Sequence, residues 1–157
     1  MNALEAGLYD LAGLFMVPVM LLILAALAYA FLALGGFGME AWQRLRGRHR
    51  SALSAYQAKT GAASDDLELW ILKRLEWVRI VSRTAPMLGL VATMIPMGPA
   101  LLALTRNEGA TMGENLAVAF AAVILSLVAA SICFFILTIR RRWLLEELRQ
   151  IERAGGK

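Results

Sequence analysis

A single cysteine, Cys133, and a single histidine, His49, are all this sequence holds of the two side chains that most often bind metals. One cysteine cannot close an intrachain disulfide or build a cysteine metal cluster. His49 stands in an arginine-rich run with no ligand partner at metal spacing, and reads as a solvated loop residue. There is no nucleophile–base pair, no paired catalytic carboxylates and no phosphate-cradling glycine loop. Enzyme chemistry, a metal and a cofactor therefore find no foothold. Charge is missing in a patterned way. Three long runs, Leu11–Met39, Thr84–Thr105 and Asn115–Ile139, contain no Asp, Glu, Lys, Arg or His, and Glu114 stands only at an edge. A proton pathway generally needs a titratable group at membrane depth. This chain cannot relay protons alone, and a carboxylate for that purpose must come from another chain. Lys and Arg are also missing from the N-terminal segment, which carries only Glu5 and Asp10. A cleaved signal peptide needs a basic start, so the first run is predicted to be a retained span.

What is present is apolar surface in long pieces. The hydrophobic fraction is 59% of 157 residues, and a helix needs about 20 apolar residues to cross the hydrocarbon core. Each run is long enough. The expectation is an all-α, polytopic membrane protein with three transmembrane helices and amphipathic cytoplasmic helices. It forms one membrane domain over 1–157, with spans at about 11–34, 85–105 and 115–139, a cytoplasmic helical loop at 40–84 and a cytoplasmic tail at 140–157. Nine Lys and Arg, from Arg44 to Arg83, lie between the first two runs; the tail carries Arg140, Arg141, Arg142, Arg149, Arg153 and Lys157. Cytoplasmic loops collect such residues, which predicts the N-terminus outside and the C-terminus in the cytoplasm. The net charge of +4 follows from topology and anionic lipid headgroups rather than from nucleic acid.

The first span is Leu- and Ala-rich all round and suits a lipid-facing position, with Tyr9 and Tyr29 expected near the two interfaces. Gly35-Gly36-Phe37-Gly38 is expected to loosen the helix, and Gly61-Ala62-Ala63-Ser64 to form a turn. Asp65 followed by Glu68 reads as a new helix start. That helix carries Leu67, Ile71, Leu75 and Val78 at helical spacing, with Trp70 and Trp77 beside them, and runs with little interruption into the second span. Its apolar face suits either packing on other cytoplasmic helices or the bilayer surface.

The second and third spans each have a small face. At about 100° per residue, Pro86, Gly89, Thr93, Pro96 and Ala100 share one sector, opposite Leu88, Val91, Ile95 and Leu102. Pro96 and Pro99 remove the amide partners of the Ala92 and Ile95 carbonyls, so this stretch should not face lipid. In the third span Asn115, Ala119, Ala122, Ser126, Ala129 and Cys133 align, away from Leu116, Phe120, Ile124 and Leu127. Such faces serve close helix packing, or the wall of a narrow pore or groove for a foreign helix. The methionines, Met87, Met94 and Met97 among them, read as flexible packing residues.

These two spans resemble the MotA/TolQ/ExbB proton-channel family. The matching stretches are Thr84-Ala85-Pro86-Met87-Leu88-Gly89-Leu90-Val91-Ala92-Thr93, then a short outer loop, then Ala117-Val118-Ala119-Phe120-Ala121-Ala122 through Leu127-Val128-Ala129-Ala130, within Arg79 to Trp143. The resemblance implies a homopentameric ring whose inner wall is made by the second and third spans. It surrounds a single-span MotB/TolR/ExbD-like partner that supplies the membrane Asp, in a bacterial or archaeal inner membrane. Ion flow would then drive mechanical work or transport. By the same resemblance Thr93 matches the second-span pore hydroxyl. Val123 occupies the usual third-span hydroxyl position, and Ser126, one turn along the small face, is the nearest substitute. Ala92 and Pro96 stand where relatives commonly have glycine. A non-conducting membrane scaffold is the alternative, whereas a small multidrug-type transporter would need its own intramembrane carboxylate.

Overall fold

The structure, a computed structural model, describes residues 3–47, 51–61, 63–106 and 108–155. His49, with Arg48, Arg50, Ala62, Lys157 and the side chain of Glu5, lies outside the described residues. Five helices follow in order: α1 (Ala3–Leu14), α2 (Met16–Leu45), α3 (Ala52–Thr60), α4 (Ser64–Thr105) and α5 (Gly109–Gly155). Among the described residues there is no strand. Three stretches are long and apolar enough to cross a membrane: Gly7–Leu45, Ser64–Thr105 and Gly109–Ala154.

Pro18 explains why the first stretch is two helices. Its ring denies an amide to the Leu14 carbonyl and crowds it. The chain breaks at Phe15, whose amide bonds Ala12 O at 3.1 Å, and restarts so that Pro18 falls in the first turn of α2. Amides there have no intrahelical partner to lose. The glycine run, expected to loosen the helix, lies within a continuous α2. Phe37, in the middle of that run, is held by its neighbours. Its ring stacks on Trp143 at 5.4 Å between centroids and meets the edge of Phe135 at 5.9 Å. Tertiary packing outweighs a local preference of about 1 kcal/mol per glycine. Tyr29 packs half-buried against the cluster of Ala30, Ala129, Ala130 and Cys133, inside the α2–α5 contact.

Helices α4 and α5 form the spine. α4 has 42 residues and α5 has 47, without interruption. At about 1.5 Å rise per residue, each is roughly twice the length of a 30 Å hydrocarbon core. The surplus extends beyond the arginine-rich end of the spans as an antiparallel pair. There Leu67, Ile71 and Leu75 of α4 bury against Leu144 and Leu148 of α5, and α3 closes the cluster with Leu53. Val78 joins the neighbouring cluster with Phe37 and Ile136. The amphipathic face of α4 is therefore a packing face. In water each such leucine contributes about 1.5–3 kcal/mol when buried. Gly61 ends α3 in the left-handed conformation, φ 62°, which glycine adopts without steric cost. Tyr56 stacks on Trp70 at 5.6 Å beside it.

A chain of charges ties α2 to this spine. Glu40 of α2 accepts from Arg140 of α5 at 2.9 Å, and from Arg44 at 3.4 Å. Arg44 reaches Glu147 of α5 at 2.6 Å, and Ser51 donates to the other Glu147 oxygen at 2.6 Å. The Arg44 guanidinium lies 4.5 Å from the centroid of Trp143. These charged side chains are about a quarter exposed or less, so the pairs are only partly screened. Glu147→Gln removes the charge opposing Arg44 and is expected to cost about 1–3 kcal/mol. A thermal midpoint in detergent, compared with that of Arg149→Gln on the exposed face of α5, checks it.

Candidate functional site

The contact between α4 and α5 is set by residues without bulk. Along α4 the buried stripe is Ala85, Gly89, Ala92, Pro96, Ala100 and Ala103, spaced by four and three. Along α5 it is Ala119, Ala122, Ser126, Ala129 and Cys133. The stripes face each other within one chain. They approach closely at Gly89 against Ser126: a β-carbon on Gly89 would stand 2.0 Å from Ser126 Oγ and 3.0 Å from its Cβ. Only glycine fits. Ser126 is fully buried and its hydroxyl donates to Val123 O of its own helix at 2.9 Å. Small stripes allow such close approach, and dispersion between the backbones then supplies the attraction.

Three positions from the sequence reading sit differently. Pro86 and Thr93 are half-buried at the edge of the seam, as is Asn115 at the far end of α5. The side of the seam matters. Ala92 packs with Ala122 beneath Val19 and Ile23 of α2. One residue on, a 100° step carries Thr93 to the opposite flank, away from α2. The Thr93 hydroxyl donates to Leu90 O at 2.6 Å and keeps its lone pairs turned outward for a second partner. Pro96 and Pro99, inside the same helix, offer no amide to the Ala92 and Ile95 carbonyls. Polar backbone and hydroxyl atoms thus occur in mid-span without any charge, Thr93 on the open flank and Ile95 and Pro99 beside Tyr9, Ala12 and Gly13 of α1. Ala85, Ala92 and Ala103 complete the buried stripe, at the same four-and-three spacing as Gly89, Pro96 and Ala100.

Much of the spans is still uncovered. Only 11%, 28% and 33% of the most apolar window in each is buried. Met87, Leu90, Met94 and Met97 on α4, with Phe120, Ile124 and Leu127 on α5, are exposed. Lipid or further protein must cover surface of this extent.

The model of the MotA/TolQ/ExbB proton channel family matches residues 42–153, well over half of the chain. The chain belongs to this family. The match takes in the end of α2 and all of α3 and α4, and nearly all of α5, so it reaches beyond the two spans to the helices past the arginine-rich end. No curated protein and no solved structure matches the chain. Membership makes this a multi-pass membrane protein of a channel family whose members work in energy-transducing complexes with partner proteins.

Proposed function

We propose that this chain is the ring subunit of an ion-driven complex in the inner membrane of a bacterium or archaeon. Five copies surround a single-span partner whose Asp carries the proton. Ion flow is coupled to mechanical work on, or transport by, another component. The N-terminus lies outside, and the arginine-rich end of the spans faces the cytoplasm, as the bias of Lys and Arg requires.

One observation carries the reading. In spans free of acids and bases, Thr93 presents a hydroxyl on the flank of the α4–α5 hairpin that α2 leaves open. A foreign helix lying along that flank brings its carboxyl group to Thr93. A protonated carboxyl donates to the lone pairs of that hydroxyl, and an ionised one accepts from it once the hydroxyl turns away from Leu90 O. Ser126 stands second in this role, because its hydroxyl is enclosed by Gly89 and gains access only if the two helices part.

The mass of the purified protein in detergent tests the assembly. A pentamer, binding a co-expressed single-span protein at its centre, is the expected result. A monomer or dimer that persists across detergents and ignores the partner would leave a non-conducting scaffold as the better reading, since the interlocked small stripes serve that purpose equally well.

A further inference from the structure

On the flank that carries Thr93, but at the arginine-rich end of the spans, α4 and α5 enclose a groove of about 740 Å³. Its floor and walls are Arg79, Ser82 and Arg83 of α4 with Thr138, Arg141 and Arg142 of α5. Leu72 and Leu145 line it on the side away from the spans, and Phe134 and Leu137 on the side of the spans. Four arginines therefore line one groove at the level where the charge-free segments end, with apolar surface on both sides of them.

Those arginines are unspent. Among the described residues, none of Arg79, Arg83 and Arg141 is in an ion pair. Arg142 alone meets a carboxylate, Glu146 one turn on at 3.7 Å, with both side chains well exposed. The contrast with Arg140 is instructive. Arg140, on the α2 side of the same helix, is held by Glu40 at 2.9 Å. The Ser82 and Thr138 hydroxyls donate to Arg79 O and Phe134 O of their own helices, so the arginines are the groove's donors toward an anion. Topology requires basic residues at this end but does not require them to gather in one concavity without counter-charges. Like charges brought together this way repel one another, and an anion of matching geometry relieves that repulsion.

We infer that this groove binds the phosphate headgroup of an anionic phospholipid, with its acyl chains lying along Phe134 and Leu137. Guanidinium groups pair with phosphate oxygens in bidentate fashion. Basic pockets between membrane helices at this depth are suited to lipid headgroups. The apolar residues on the span side give a lipid something a soluble anion does not use. The volume lies within the roughly 300–1,000 Å³ of ordinary small-ligand sites. The site is complete within one chain and does not depend on the ring.

Native mass spectrometry of the full chain in a neutral detergent, titrated with phosphatidylglycerol, phosphatidylcholine or inorganic phosphate, is the test. The expected result is saturable binding of phosphatidylglycerol, with phosphatidylcholine bound far less and inorganic phosphate unable to compete at equal concentration. Arg83→Gln combined with Arg141→Gln should weaken phosphatidylglycerol binding on the order of tenfold or more. Arg149→Gln, a charge removal elsewhere on α5, should leave it unchanged. Equal binding of phosphatidylcholine, full competition by inorganic phosphate, or equal losses in the Arg149 variant would each overturn the assignment. So would a groove that binds no lipid but is occupied by an acidic segment of a co-purified protein.

Discussion

The variant Gly89→Leu is expected to fail to close the α4–α5 hairpin and not to accumulate as a folded membrane protein. At Gly89 the two helices are so near that even a β-carbon would stand 2.0 Å from Ser126 Oγ. The serine hydroxyl can rotate away, giving up its bond to Val123 O. Its Cβ cannot, and lies 3.0 Å from the same point. Gly89→Ala is therefore expected to cost about 1–3 kcal/mol, the usual range for overpacking a tight interior. Leucine adds three more carbons with nowhere to go. The seam is continuous, from Ala85 and Ala129 at one end to Ala100 and Ala119 at the other, so a wedge at Gly89 loosens contacts along several turns.

A swap distinguishes a steric wedge from a loss of glycine flexibility. Gly89→Ala combined with Ser126→Gly moves the missing bulk to the opposite helix and should recover most of the lost stability. The thermal midpoints of the two single variants and the double variant in detergent form the cycle, and a coupling energy near zero would place the cause elsewhere.

Thr93→Val is expected to assemble normally and to lose ion-driven activity by at least about tenfold, or about 1.4 kcal/mol of barrier. Valine has nearly the shape of threonine and the same branching at the β-carbon. What it lacks is one hydroxyl, whose bond to Leu90 O is local to the helix; removing such a bond changes stability by about 1 kcal/mol or less. The predicted split is therefore large for function and small for folding. Ion flux into vesicles containing the chain and its partner measures the first, and detergent melting measures the second. Thr93→Ser, which keeps the hydroxyl, should retain flux. Undiminished flux in the valine variant would remove Thr93 from the pathway and leave Ser126 to be tested in its place.

Membrane character and helix type were legible because they are additive. Charge-free runs of sufficient length are a sum over residues, and no tertiary contact changes that sum. The long α4 was legible for a related reason: Leu67, Ile71, Leu75 and Val78 repeat at helical spacing up to the start of the span, and nothing between them breaks a helix. Family membership followed from a local string, Ala85-Pro86 with Gly89 and Thr93, which needs no folding to be read. Other features depend on which helices meet. Glycine propensity argued for a loose stretch in α2, and only the contacts of Phe37 with Trp143 and Phe135 reveal what supports the helix there. Helical spacing placed Gly89 and Thr93 in one sector, but could not tell which edge of that sector faces α5 and which lies open. A stripe about 100° wide can turn by one residue without changing its composition. Only the position of α2 over Ala92 and Ala122 decides the matter. By itself, then, the sequence determined spans, helices, lineage and the absence of a membrane acid. The tertiary structure alone decided that the small stripes close on each other, that Ser126 is enclosed while Thr93 stands at the open edge, and that four arginines share one groove. The reason is physical: composition and period act within a helix, whereas exposure is a property of the neighbours that a helix acquires.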